Sequence, residues 1–163
     1  MRELYLKQKV FKITDHYPIY DKDQNVVYQV DQDFRLVGNT VHVSRPNVEH
    51  VFTVNKKIFA LLPQFTVDFA DHSQLMIKQR LTFMRRKIDI ISDTMNLQVE
   101  GNWLDLNFTV LKDGQALGTI KRAWISWGDM YELKIFEPAY ETVFVAIVIA
   151  VDALIDDQAS STT

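Results

Sequence analysis

The sequence contains no cysteine, which excludes disulfide bonds, thiolate metal sites and cysteine nucleophiles. Glycine and proline are scarce, with five and four residues, so the chain is not of low complexity and leaves little room for a glycine-rich phosphate loop. Neither sign of charge dominates, since the net charge is -3, and we expect no nucleic-acid partner. The N-terminal stretch MRELYLKQKVFKI has no continuous apolar segment, so we predict no signal peptide and a cytoplasmic protein.

Most of the chain consists of short segments in which apolar and polar residues alternate. Examples are NVVYQV (25–30), TVHV (40–43) and YELKIF (131–136), each rich in β-branched or aromatic residues and bounded by turn residues. This spacing predicts roughly ten to twelve antiparallel strands in a sandwich or barrel. We predict a single domain at 1–157, followed by a disordered tail at 158–163.

The chain also contains an internal repeat. A shift of 90 residues places 22–43 over 112–133 without a gap. Turn residues then meet turn residues, as Asp23 meets Asp113, and apolar positions meet apolar positions, as Val30 meets Ile120. Two copies are too few for a solenoid, so we predict two similar quarters of one closed sheet. The alternative is that any two β-meanders share such a pattern.

An uninterrupted apolar run from Val143 to Val151 near the C-terminus is consistent with a membrane helix, a central strand or a buried helix. A membrane helix needs about 20 apolar residues, and Asp152 interrupts this run too early. Its β-branched residues favour a strand, but strands usually end after about five or six residues. Pro138 and Glu141 suit the first turn of a helix. We therefore predict a helix at about 138–155 that is buried on all sides and does not span a membrane.

Three segments carry a resemblance to a known family: the hairpin IYDKDQNVVYQVD (19–31), its counterpart VLKDGQALGTIKRAWISWGDMYELKI (110–135), and the apolar helix after FEPAYE (136–141). From about Leu4 to Ile155 the chain resembles the LURP-one-related family, whose fold is that of the tubby C-terminal domain and is shared with phospholipid scramblases. The resemblance implies a mainly β fold, a closed antiparallel barrel of about twelve strands around a central hydrophobic C-terminal helix. It implies little about chemistry.

No metal-binding signature is complete in this sequence. Asp21, Asp23 and Asn25 match the opening of a calcium loop, but Val26 and Gln32 stand where that loop needs glycine and glutamate. A polar hairpin turn is therefore favoured. The four histidines show no zinc spacing. We expect neither a metal nor a cofactor.

Catalytic signatures are also absent, and a few residues remain as candidates. His42 and His50 are placed to meet across a hairpin, but surface histidines are the commoner case. Asp152 opposes the helix macrodipole, and we expect it to surface at the mouth of the barrel rather than form a buried functional site. Four aromatic residues are expected to belong to the barrel core rather than to a ligand pocket: Trp103, Trp124, Trp127 and Phe136.

The chain has one concentration of charge, which we call the basic cluster: Lys78, Arg80, Arg85, Arg86 and Lys87. In a strand, Lys78 and Arg80 project from the same face, and 85–87 is then predicted to be a hairpin tip. Such a cluster suits a lipid headgroup or phosphate, and resemblance to the tubby proteins, which bind phosphoinositides through basic side chains, implies the same. The alternative is an ordinary solvated strand face with a basic turn.

These observations predict a non-enzymatic binding or scaffold domain that uses the basic cluster as its ligand site. The expected partner is an anionic membrane lipid or another phosphate-bearing ligand. One alternative is a protein-interaction domain that uses a free strand edge or an apolar rim. Two further alternatives are an enzyme built on Asp152 with a rim histidine, and membrane insertion of the C-terminal helix.

Overall fold

The structure, a computed structural model, describes residues 1–7, 16–33, 40–57, 61–81, 86–92, 94–102 and 105–161. Its strands are β1 Arg2–Lys7, β2 His16–Asp21, β3 Val26–Asp33, β4 Thr40–Ser44, β5 His50–Lys56, β6 Gln64–Phe69, β7 Gln74–Leu81, β8 Arg86–Ile91, β9 Asn96–Asn102, β10 Asn107–Lys112, β11 Gln115–Ile125 and β12 Gly128–Ile135. A 3-10 turn at Pro138–Tyr140 leads into the single helix, α1, at Glu141–Ser161.

Each strand pairs antiparallel with the next, and β1 pairs with β12, so the sheet closes into a barrel. The closing pair runs from Arg2 opposite Ile135 to Lys7 opposite Met130. The predicted closed barrel is confirmed. Because the ring is complete, the barrel has no edge strand within the part of the chain that the structure describes. The alternative of a protein partner, bound through a strand edge or an apolar rim, stays a prediction.

The helix α1 fills the bore of this barrel. Phe144 through Val151 are at most 1% exposed, because inward-facing residues of all twelve strands surround them. A helix without a polar face is stable in water only when it is covered in this way. The predicted central helix is therefore confirmed, although its backbone extends to Ser161 rather than ending near 155. Residues 158–161 of the predicted tail lie in this helical backbone, and the domain boundary at 157 stays a prediction.

Among the described residues, one stretch has the length and hydropathy of a membrane span. It is Pro138–Ile155, 18 residues with a mean hydropathy of 1.9, and 61% of it is buried within the barrel. A core helix satisfies the same two criteria, so this finding does not distinguish a span from the axis of a barrel.

The wall and the helix are in close contact at Gly118 in β11. A Cβ atom at this position would lie 2.6 Å from Cζ of Phe144 and 2.2 Å from the carbonyl oxygen of Lys134. Only glycine therefore fits between the neighbouring strand and the helix.

The predicted repeat aligns β3 with β11 and β4 with β12, so the two copies are the three-stranded units β2–β4 and β10–β12. Gly118 is the counterpart of Tyr28 under the same shift. At these matched positions the wall differs: Tyr28 fills the bore beside the helix, whereas Gly118 leaves space for the Phe144 ring. The copies therefore share strands and turns but contact the helix differently.

The two ends of the barrel are distinct. Odd-numbered strands run from the end where Glu141 enters, the entry end, toward the end that carries Trp124, the Trp124 end. At the entry end, the Asp21 carboxylate accepts hydrogen bonds from the backbone N–H groups of Asp23 and Asn25, each at 2.9 Å. The bonds to Asn25 are the main reason that the pKa of Asp21 is lowered. The segment D-x-D-x-N is thus a hairpin turn, as predicted.

Candidate functional site

The basic cluster lies on the outer wall of β7 and β8. In the register of these strands, Lys78 stands opposite Asp89, and Arg80 stands opposite Lys87. Arg85 lies outside the described residues, and of Arg86 only the backbone is described. The structure therefore places Lys78, Arg80 and Lys87 on one outer face, as the alternation of the strand predicts.

Carboxylates of neighbouring strands balance two of these three cations. The guanidinium of Arg80 contacts Asp89, with Nε 3.1 Å from Oδ2 and Nη2 3.3 Å from Oδ1. The Lys87 ammonium donates to Oε1 of Glu100 on β9. Lys78 is exposed and has no ion pair with any described residue. Arg80 and Lys87 thus behave as part of a solvated, self-neutralised surface, and Lys78 is the cation left available.

A groove of about 480 Å³ begins beside Lys78 and extends toward the entry end, between the β6–β7 and β8–β9 turns. Its floor is partly apolar, formed by Met76, Ile91 and Met95. Ile91 points away from the core, and its side chain is therefore 42% exposed. The lining also includes polar residues: His72, Gln74 and Thr94. The groove therefore offers apolar surface next to a positive charge that no described residue pairs with, an arrangement suited to a ligand with an anionic group and an apolar part.

Asp152 does not surface at the mouth of the barrel, and that expectation is wrong. The residue is 4% exposed, and its Oδ1 accepts a 3.0 Å hydrogen bond from the hydroxyl of Tyr131 on β12. Burial raises the pKa of the nearby Tyr17 hydroxyl, and the charge of Asp152 raises it further. The carboxylate is accommodated because the Tyr131 hydroxyl supplies a hydrogen bond to it inside the bore.

A second carboxylate holds the other end of the helix. Glu141 accepts a 2.7 Å hydrogen bond from the Tyr28 hydroxyl and a 2.9 Å contact from Nε of Arg2. Asp152 follows Glu141 by eleven residues, or about three turns, so the two carboxylates lie on nearly the same side of α1. The apolar surface of α1 has no preferred rotation of its own, and these contacts set the rotation and height of the helix in the bore.

The described histidines lie outside the barrel and do not meet Asp152. The His42 ring shares a 3.1 Å hydrogen bond with the Thr53 hydroxyl, and the His42 and His50 rings are 6.4 Å apart. The two histidines therefore face each other across the β4–β5 hairpin, on the outer surface. His16 pairs with Asp31 on the same outer face. Since the wall separates them from Asp152, the arrangement required by the enzyme hypothesis is not formed. Within the described ranges, no group of three or more acidic or histidine residues is placed to hold a metal.

Three of the four aromatic residues expected in the core lie within the described residues, and none is fully buried. Trp124 is 81% exposed and Phe136 is 46% exposed, so the expectation is wrong for both. Trp127 is half-buried on the outside, where its ring packs edge-on against Tyr5 at 5.4 Å. Trp103 lies outside the described residues.

We expect the free energy of unfolding to fall as the pH rises above about 10. Burial raises the pKa of both Tyr17 and Tyr28, and the hydrogen bond to Glu141 raises that of Tyr28 further. The folded chain therefore keeps both protons while the unfolded chain loses them, so the stabilisation is complete below the unfolded pKa and is lost above it. In this pH range, each tyrosine lowers the free energy of unfolding by up to about 1.4 kcal/mol per pH unit.

Urea unfolding between about pH 8 and about pH 11 measures this slope. The Tyr28→Phe chain should lose up to one tyrosine's share of the slope, and Tyr17→Phe/Tyr28→Phe should lose both. A double variant with the slope of the unmodified chain would contradict the assignment.

A closed twelve-stranded barrel around an apolar helix defines the structural class of this protein. The family model described as LURP-one-related matches residues 2–152. The chain therefore belongs to the LURP-one-related family, which confirms the resemblance inferred from its segments. It is similar to a protein of Bacillus subtilis (strain 168), the uncharacterized protein YxjI, with 26% identity over 156 residues, 95% of this chain and 94% of that protein. No solved structure matches the chain. Neither match names an activity or a ligand.

Proposed function

We propose that this chain is a non-enzymatic, cytoplasmic binding domain for an anionic ligand, which it engages through the basic cluster without a metal or cofactor. The proposal rests on the surroundings of Lys78. This lysine is exposed, has no ion pair with any described residue, and borders a groove with apolar floor residues. An unpaired cation beside apolar surface suits the headgroup region of an anionic lipid.

The neighbouring ion pair supports this assignment of Lys78. Asp89 is directly opposite Lys78 in the register, yet its carboxylate contacts Arg80 through both oxygens. Arg80 therefore holds Asp89 in a fixed orientation. An anion that contacts Lys78 would also lie near the Arg80 guanidinium, which has hydrogen-bond donors beyond those that Asp89 uses. The basic cluster thus supplies one direct contact with a positive charge, from Lys78, and further hydrogen-bond donors from Arg80.

We expect Lys78→Gln to weaken binding to vesicles of phosphatidylglycerol and phosphatidylcholine about fivefold, because one lysine near an anionic surface is worth about 1 kcal/mol. Co-sedimentation at low salt measures the affinity, and its loss at high salt identifies the electrostatic part. Lys22→Gln is the matched control, because Lys22 is exposed in the β2–β3 turn and its replacement removes the same charge. Binding to phosphatidylcholine alone should be negligible.

A second experiment distinguishes binding to a lipid surface from binding to a free phosphate ester. Glycerol 3-phosphate, titrated by chemical-shift perturbation, should shift the backbone signals of β7 and β8 if the cluster recognises the ester itself. If Lys78→Gln and Lys22→Gln weaken vesicle binding equally, the attraction is a general electrostatic one and Lys78 is not part of a specific site. If neither the anionic vesicles nor glycerol 3-phosphate bind at low salt, the proposal is wrong.

A further inference from the structure

Trp124 is exposed because it lies beyond the wall of the barrel. The last pair between β10 and β11 joins Asn107 to Lys121, whereas β11 and β12 continue pairing to Ile125 opposite Gly128. Residues 123–129 thus overhang the rim of the barrel at the Trp124 end. Trp124 projects from the same side of β11 as Ile120, which faces the bore. At Trp124 the bore has ended, so the indole meets solvent and is 81% exposed.

The overhanging hairpin is held in place by contacts on both sides. Trp127 packs edge-on against Tyr5 and Tyr20, with ring centroids 5.4 and 6.4 Å apart. Arg122 donates two hydrogen bonds to Asp129, at 3.1 and 2.9 Å. An indole on a braced hairpin loses little conformational freedom when it enters an interface. Trp124 is thus a rigidly presented aromatic group, and no described residue covers it.

A second large apolar side chain is exposed at the same end. Leu61, in the connection between β5 and β6, is fully exposed. In the ring of twelve strands, β5 is six positions from β11, so Leu61 and Trp124 lie on opposite sides of the rim. These two apolar groups lie on a line across the barrel axis, so a flat surface perpendicular to the axis would face both.

Charge separates this end from the entry end. Three exposed lysines lie at the Trp124 end, where β1, β5 and β11 finish: Lys7, Lys57 and Lys121. Two exposed carboxylates, Asp33 and Asp105, lie at the same end. The entry end also exposes apolar side chains, Val48 and Phe136. Its turns, however, carry a series of carboxylates: Asp23, Glu49, Asp71, Asp113 and Glu137.

We propose that the Trp124 end is a docking surface for an anionic lipid bilayer, on which the barrel stands with its axis close to the membrane normal. Trp124 and Leu61 enter the headgroup layer, where indole rings are favourably placed, and the surrounding lysines meet the lipid phosphates. The inference rests on the proposed function in requiring an anionic membrane lipid as the partner, but it uses other lysines, because the groove beside Lys78 extends toward the entry end. It adds the orientation of the domain and two apolar anchors that the basic cluster does not contain.

The experiment uses a chain in which Trp124 is the only tryptophan, Trp103→Phe/Trp127→Phe, mixed with vesicles of phosphatidylglycerol and brominated phosphatidylcholine. Trp124 emission should shift to the blue and be quenched by the bromine atoms, and brominated phosphatidylcholine alone should produce neither change. In the unmodified background, Trp124→Ala should weaken vesicle binding about tenfold, the scale expected for a large apolar side chain that leaves water. Phe136→Ala is the matched control, because Phe136 is an exposed aromatic residue at the entry end. It should change vesicle binding by less than about twofold.

The outcomes distinguish this inference from the proposed function. Vesicle binding that is sensitive to Lys78→Gln, without quenching of Trp124, would overturn end-on docking and leave the basic cluster as the site. Binding of glycerol 3-phosphate without vesicle binding would also overturn the docking surface while supporting an anion site. Equal loss of binding in the Trp124 and Phe136 variants would show that the Trp124 end is not the contact. Circular dichroism and thermal unfolding verify that each variant is folded.

Discussion

Replacement of Gly118 by valine is expected to lower the free energy of unfolding by at least about 3 kcal/mol, at the upper end of the cost of overpacking a core. The new Cβ atom would lie 2.2 Å from the carbonyl oxygen of Lys134, which belongs to a paired strand and cannot rotate away. It would also lie 2.6 Å from Cζ of Phe144. The helix therefore has to move, or β11 has to separate from β12, and either change disrupts the closed ring.

Thermal and urea unfolding of the variant measure this loss. Thr119→Val is the matched control, because it places valine on the neighbouring residue of the same strand, on the half-buried outer side. It should change stability by less than about 1 kcal/mol. A Gly118→Val chain within about 1 kcal/mol of the unmodified protein would mean that the contact between wall and helix is not as close as described.

Replacement of Asp152 by alanine is expected to cost about 3 kcal/mol. The change removes the acceptor of the 3.0 Å hydrogen bond from Tyr131, whose side chain is 1% exposed. An unmade hydrogen bond at a buried donor costs about 1–3 kcal/mol, and the space left by the carboxylate adds to this. The helix would also lose the contact that sets its position at the Trp124 end of the bore.

Asp152→Asn is the informative control for this prediction. The amide oxygen keeps an acceptor for Tyr131, and the substitution removes a charge that is costly to bury. Its stability should therefore remain within about 1 kcal/mol of the unmodified chain. Equal losses in the alanine and asparagine variants would show that the charge itself, through contacts other than the Tyr131 hydrogen bond, supports the fold. Vesicle binding by folded molecules should be unchanged in both variants, because Asp152 is inside the barrel.

The barrel and its central helix were predictable because their signals are local and repeated. Alternation with a period of two marks each strand, and an apolar run without a polar face marks a helix that other elements must surround. The C-terminal boundary of α1 was not predictable, because Asp156 and Asp157 end the apolar run by which the helix is recognised. Polar residues at the end of a helix do not stop its backbone hydrogen bonding, so the helical pattern continues to Ser161.

The candidate site was predictable only in part. A concentration of positive charge is visible in the sequence, but the ion pairs of Arg80 and Lys87 depend on the register of β7, β8 and β9. The burial of Asp152 depends on Tyr131, 21 residues earlier in the chain and on a facing wall. Exposure of Trp124 follows from β11 being longer than β10, and the relative lengths of neighbouring strands have no local sequence signal.

The closing pair of the barrel joins the first strand to the twelfth, and the helix that fills the bore comes after both. During synthesis, β1 therefore leaves the ribosome long before its partner exists, and the incomplete sheet has neither its final edge pairing nor its core. Such contacts between distant parts of a chain form slowly, and open edges invite association with other chains. The ring can close around α1 only after β12 and the helix have been made, so the incomplete chain, rather than the folded protein, is the state most exposed to association with other chains.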